Sequence, residues 1–211
     1  MTGKVDGRAE RARATRARIT AAATTTFAAA GYATTSISAI AAAAGVSEQT
    51  VYYSFGNKRA VLVTALDQAI AGDDEPIPTL QRSWVHAALA EADPRRQIER
   101  QVEGAGEVLR RAARLLAMVR GAAADPELAE VAATTIRHHR EVQRVFAAAL
   151  ASKTILRTDE AAAADTAVAL LSPETYLLLT EQLGWTHDRW REWAADCLAR
   201  AVIGEASPPA R

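Results

Sequence analysis

The side chains best suited to chemistry gather in residues 36–58, and they suit hydrogen bonding to phosphates and base edges rather than bond breaking. Ser36 and Ser47 each precede a short helix-forming run, where a serine hydroxyl can satisfy a free backbone N–H. Between the two runs lies Gly45-Val46-Ser47, a tight turn that contains glycine. Two short helices joined in this way form a helix-turn-helix, in which the first helix braces and the second enters the major groove. Capped at Ser47, the second helix would turn its N–H groups and positive dipole end toward phosphate. Other chemistries lack their residues. No nucleophile stands with a base, no glycine loop cradles phosphate and no carboxylates fall at metal spacing, so neither an enzyme nor a cofactor is expected. His138 and His139 are adjacent, about 100° apart on a helix, and cannot easily share a metal ion. The lone cysteine, Cys197, excludes an internal disulfide and reads as a small buried hydrophobe.

The elements that must position these residues follow from apolar spacing. A first helix is expected from about residue 8 or 10 to Ala30, with Ile19, Ala23, Phe27 and Ala30 on one face and Gly31 as its cap. Ile37, Ile40, Ala41 and Ala44 make the buried side of the second helix, which ends at Gly45. The third runs roughly from Ser47 to Tyr53 with Val51 inward, and Phe55 and Gly56 break it; Val46 and Phe55 are expected in the core. Asn57 caps a fourth helix through about Ala71, with Val61, Leu62, Ala65, Leu66 and Ile70 in a stripe. Residues 72–78 (Gly, Asp, Asp, Glu, Pro, Ile, Pro) read as a linker, which predicts a domain over 1–72 and a second over 73–211. In the second, Asp93-Pro94 and Asp125-Pro126 have the form of a cap followed by a first-turn proline. Ser172-Pro173-Glu174 either starts a helix or kinks a long one from about Asp159 to Leu183. Gly104 and Gly106 are expected to separate a short helix from a longer one ending near Gly121. The last helix runs from about Asp188 to Ile203, followed by a frayed Ser207-Pro208-Pro209 tail. No period-two alternation suggests a sheet, and the expected fold is all-α.

Charge separates the two parts although the total is zero. Residues 1–70 carry 8 Lys+Arg against 4 Asp+Glu, and residues 71–211 carry 17 against 21. A basic head on an acidic body is the asymmetry expected when one end meets phosphate. Arg8, Arg11, Arg13, Arg16 and Arg18, with Lys4, form an N-terminal arm that either follows DNA or stays solvated. No apolar run is long enough to cross a membrane, no signal-peptide core precedes residue 19, and a cytoplasmic location is expected.

Ser36-Ile37, Ile40-Ala41, Ala44-Gly45-Val46-Ser47, Thr50-Val51-Tyr52, Phe55, Lys58 and Leu62 together resemble the helix-turn-helix of the TetR (tetracycline repressor-like) family. Ile19, Phe27, Gly31 and Tyr32 extend the likeness upstream. The resemblance implies an N-terminal three-helix DNA-binding domain and a larger helical domain for ligand binding and dimerisation. It implies that Ser36, Thr50, Tyr52 and Lys58 touch the DNA backbone, where hydroxyls and an ammonium donate to phosphate without reading sequence. Gln49 and Tyr53 are the base-edge candidates, since glutamine pairs with adenine and a tyrosine ring meets a thymine methyl; Ser38 and Glu48 come second. Ser38, Ser54 and Gly56 depart from the residues many members carry. The departures keep one alternative open, a partner-binding or structural protein on this fold that has lost operator recognition. The resemblance further implies a homodimer through the last two long helices, reading a palindromic operator. It also implies a small-molecule effector, for which Trp84, His86, Leu109, Leu115, Met118 and Tyr176 are the candidate contacts.

Overall fold

The computed structural model describes residues 3–75 and 77–204, and every regular element among them is helical. An isolated antiparallel bridge between Leu156 and Ile203 is the only extended pairing among those residues. Pro76 of the expected linker, the Ser207–Pro209 tail and the side chain of Lys4 lie outside the described residues. The chain divides into two compact units that do not follow the sequence linearly. One runs through Asp74 and takes in Arg114–Ala132; the other comprises Glu75–Ala113 and continues from Ala133.

The first unit contains α1 (Gly3–Ala30), α2 (Ile37–Ala44), α3 (Glu48–Phe55) and α4 (Lys58–Ala71). Helix α1 packs against α2 and α4, and Ile19, Ala23, Phe27, Ile40, Val51, Val61, Leu62 and Ala65 are all buried. The boundaries follow the caps. Ser36 Oγ accepts from Ala39 N, Ser47 Oγ from Thr50 N and Asn57 Oδ1 from Ala60 N, at 3.0, 3.2 and 2.8 Å. Gly45 ends α2 at φ 64, ψ 41, a left-handed conformation that a Cβ would strain, and this makes the turn into α3 short. Two expectations need correction. Helix α1 begins at Gly3, well before residue 8, through Gly3-Lys4-Val5-Asp6-Gly7, a stretch whose two glycines give no helix signal in sequence. Helix α3 continues through Phe55, and Gly56 alone ends it. Of the residues assigned to the core, Val51 is fully buried, whereas Val46, Phe55 and Ile70 are half-buried.

The second unit begins with α5 (Ser83–Ala90) and contains most of α6 (Pro94–Gly121) and α7 (Pro126–Ala151), the two helices shared between units. Asp93 Oδ1 accepts from the N–H groups of Arg95 and Arg96, and Asp125 Oδ1 from that of Glu127, as the Asp-Pro pairs predict. Helix α6 is unbroken at Gly104 and Gly106, contrary to the expected division. The glycines serve packing instead. A Cβ on Gly104 would lie 2.1 Å from Trp84 Cε3, and one on Gly106 would lie 2.9 Å from Trp190 Cζ3. Both indole rings therefore rest on the bare backbone of α6. Helix α8 (Glu160–Leu170) ends before Ser172, which caps α9 (Pro173–Leu177) through Thr175 N, so Ser172-Pro173 starts a new helix rather than kinking a long one. Helix α9 widens into a π turn at Leu178–Gln182, and α10 (His187–Val202) closes the chain's regular structure. Ala163, Ala164 and Ala167 of α8 and Trp190, Ala194, Leu198 and Val202 of α10 share one buried cluster, with small residues allowing close helix approach.

Candidate nucleic-acid interface

Helix α3 is held by its inner face and leaves its outer face to solvent. Val51 is fully buried, while Gln49 and Glu48 are exposed, Tyr52 is 51% exposed and Tyr53 90%. An aromatic ring left 90% in water contributes almost nothing to folding, so Tyr53 calls for another reason. Tyr52 and Tyr53 follow the first turn of α3, whose N-terminus carries Ser47 and Thr50, with hydroxyls 2.8 Å apart. Ser36 and Ser38 are exposed at the start of α2. Seven of the eight expected DNA contacts thus lie on α2, α3 or their caps with exposed or half-exposed side chains.

Lys58 is placed differently. Its ammonium donates to the carbonyls of Tyr32 (3.0 Å) and Thr35 (3.2 Å) and stands 4.2 Å from the centre of the Tyr32 ring. Two of its three N–H groups are therefore spent fixing the turn between α1 and α2. Sequence reasoning also missed the residues around it. Tyr32 is buried, stacks on Phe27 at 5.8 Å and donates from its hydroxyl to Glu127 Oε2 at 2.6 Å. Burial, then the Glu127 carboxylate, raises the Tyr32 hydroxyl's pKa well above its ordinary value. No local signal links residues 95 positions apart; an aromatic residue directly after the Gly31 cap predicts that Tyr32 packs back, but not its partner. Arg16 is the other unforeseen contact. Its guanidinium lies 4.2 Å from the Phe55 ring centre and donates to the Ser54 carbonyl, tying α1 to the C-terminal end of α3.

The six expected effector contacts divide between the two units. Leu115 and Met118 belong to the first unit, and Trp84, His86, Leu109 and Tyr176 to the second. Within the second unit, Trp84 stacks on Phe146 at 6.2 Å, His86 is exposed, and Leu109 and Tyr176 belong to the cluster around α10. The Tyr176 hydroxyl lies 3.0 Å from His187 Nδ1, and the ring meets Trp190 edge-on at 4.9 Å. Burial raises the Tyr176 pKa. The interior between α6 and α7 is polar and internally hydrogen-bonded: Gln101 donates to Gln143 Oε1 at 2.6 Å, and Gln97 donates to the Phe146 carbonyl and accepts from Lys153. A surface groove of about 600 Å³ between α6 and α10 is lined by Arg95, Glu99, Glu103, Arg191 and Asp196 and includes none of the six. Among the described residues no three His, Cys, Asp or Glu side chains are placed to hold a metal ion, and no helix is long and apolar enough to cross a membrane.

An all-helical chain whose N-terminal helices form a capped helix-turn-helix with an exposed second helix has the build of a DNA-binding regulator. Residues 19–65 match the family model of the bacterial regulatory proteins, tetR family. Solved structures share the fold over nearly the whole length. NalD, the secondary repressor of the MexAB-OprM multidrug efflux pump in Pseudomonas aeruginosa, is 20% identical, with a TM-score of 0.67 over 92% of this chain and 100% of its own. SmeT in complex with triclosan is 20% identical, with a TM-score of 0.68 over 93% and 96%. A transcriptional regulator from a Rhodococcus species is 20% identical, with a TM-score of 0.62 over 88% and 95%. No curated protein sequence matches the chain.

Proposed function

We propose that this protein is a homodimeric repressor that binds a palindromic operator through α2 and α3 and is released from it by a small molecule. The observation that carries the reading is the outer face of α3, where Gln49, Tyr52 and Tyr53 stand in solvent on a helix fixed from behind by Val51. In this reading Gln49 and Tyr53 read base edges, and Ser36, Ser38, Ser47, Thr50 and Tyr52 donate to phosphates or sit beside them. Lys58 has one N–H left for phosphate, and its larger contribution is to the shape of the turn. Residues 1–72 make the DNA-binding part and 73–211 the sensing and dimerising part, working in the cytoplasm. Two copies would meet through α8, α10 and the segment between them on the faces left exposed in one chain, which include Ala162, Ala169, Leu178, Leu183 and Ala201. The bound triclosan in SmeT supports a small-molecule effector. Trp84, His86, Leu109 and Tyr176 are the second-unit candidates for it, and Leu115 and Met118 the first-unit ones. The effector acts by binding the free and operator-bound shapes with different affinity.

The test is fluorescence anisotropy with the gene's own upstream DNA and with duplexes recovered by unbiased genomic selection, across a salt series. Tight, salt-steep and sequence-selective binding that Gln49→Ala and Tyr53→Ala weaken supports the reading. Binding no tighter than to random duplex, for every recovered sequence, would refute it.

A further inference from the structure

Two buried amides in the second unit keep hydrogen-bonding groups that the fold leaves unused. Gln101 and Gln143 are 4% and 3% exposed, and they meet through one bond, from Gln101 Nε2 to Gln143 Oε1 at 2.6 Å. Gln101 Oε1 and the N–H groups of Gln143 take no partner among the described residues. Neither is sealed against packed atoms, as the unpaired Trp190 Nε1 is. Gln97, one turn away on α6, is different: the Phe146 carbonyl and Lys153 engage both ends of its amide. Apolar side chains of similar shape would fill the place of the Gln101–Gln143 pair at no loss to folding, so the idle donor and acceptor call for another reason.

Trp84 lies across this pair. Helices α6 and α7 run antiparallel here, since Gln97 reaches Phe146 while Gln101 reaches Gln143. Gly104 follows Gln101 by one turn on α6, and Phe146 follows Gln143 by one turn on α7, so the two flank the amides on opposite sides. The indole meets both. It stacks on Phe146 at 6.2 Å and fills the space that a Cβ on Gly104 would need. Trp84 is half-buried and belongs to α5, a helix of eight residues whose N-terminus has no side-chain cap.

We infer that Trp84 plugs a ligand slot, and that the ligand is a flat, uncharged ring system bearing both a hydrogen-bond donor and an acceptor, such as a bicyclic lactam. The inference rests on the effector reading above and names the chemistry of that effector. Flatness follows from the present occupant, because an indole fills the space between Gly104 and Phe146. The donor and acceptor follow from the amides: a ligand N–H donates to Gln101 Oε1, and a ligand carbonyl accepts from Gln143 Nε2. Neutrality follows from the same pair, since two neutral amides cannot replace the hydration of an ion. As the ligand enters, the Trp84 side chain turns outward and the ring it gives up is replaced by the ligand's.

The experiment uses the full chain and 2-quinolinone, a lactam of about the size of an indole, beside its N-methyl derivative, which lacks the donor. Binding is measured by calorimetry for the wild type, Trp84→Ala and Trp84→Ala/Gln101→Leu/Gln143→Leu, with circular dichroism and thermal melting as the check on folding. Replacing both glutamines together strands neither. With the slot open, Trp84→Ala should bind 2-quinolinone at least about tenfold more tightly than the wild type does, and at least about tenfold more tightly than it binds the N-methyl derivative. The triple variant should bind the two compounds alike. Equal binding of both by Trp84→Ala, or none, overturns the inference, and this comparison stands even where the triple variant does not fold. A preference that survives in the triple variant places the lactam elsewhere and overturns it too. Adding operator duplex judges the effector reading separately: if 2-quinolinone binds with the expected preference yet leaves operator affinity unchanged, the slot stands as a ligand site and its effector role is refuted.

Discussion

Tyr53 and Lys58 invert the usual relation between conspicuous chemistry and visible use. Tyr53 packs against nothing, so Tyr53→Ala should leave thermal stability within about 0.5 kcal/mol of wild type while operator affinity falls. Gln49→Ala should cost about 1–3 kcal/mol of discrimination at one base position, read by competition between single-base variants of the site. Lys58→Ala should lower stability by about 1–2 kcal/mol in denaturant melts, because two carbonyls and an aromatic face lose their cation. A DNA-binding deficit in that variant therefore cannot be assigned to phosphate contact without the melt beside it. Tyr32 carries a pH dependence whose sign is fixed. Its pKa is raised on folding, so its neutral hydroxyl stabilises the fold fully below the unfolded value of about 10, and that contribution is lost as pH rises further. Tyr32→Phe, which lacks the titration, should be less stable than wild type at about pH 8, with the difference narrowing above about pH 10 in pH-resolved melts.

Among the elements, the helices of the head were legible because each has a cap in sequence: Ser36, Gly45, Ser47 and Asn57 mark ends that the structure keeps. The same cue failed at Gly104 and Gly106, because a glycine that ends a helix and a glycine that admits a ring look alike in one dimension. The distinction lies in Trp84 and Trp190, each remote in sequence from the glycine it covers. Gly104→Ala separates the two roles energetically. Alanine gains about 1 kcal/mol in helix propensity, whereas a Cβ 2.1 Å from the Trp84 ring costs more, about 1–3 kcal/mol even after adjustment. The net change should be destabilising in chemical denaturation, and Trp84→Leu in the same chain should recover part of it. The apolar stripes of the last helices carried a comparable ambiguity. Ala167, Leu171, Leu179, Trp190, Ala194 and Leu198 are buried within a single chain, and periodicity cannot tell an internal partner from an external one.

For the molecule as a whole, the proposed dimer is where the least was readable, since an interface is a property of surfaces left over after folding. Leu178 and Leu183 remain 45% and 59% exposed, beside a π turn that packs α9 toward α10. Leu183→Asp should weaken self-association at least about tenfold in sedimentation velocity, and operator affinity should fall with it. What no local pattern foretold is that α6 and α7 are shared between the two compact units. That sharing bears on how such a protein could be recombined. A chimaera that grafts the residues through Asp74 onto another body at a single junction would leave Arg114–Ala132 behind, and with it the Glu127 carboxylate that accepts the hydrogen bond of the Tyr32 hydroxyl. The transplanted head would arrive without part of its own foundation. An interchange that preserves it needs three splice points rather than one, so new pairings of operator and signal should come more readily by altering side chains on α3 than by exchanging heads.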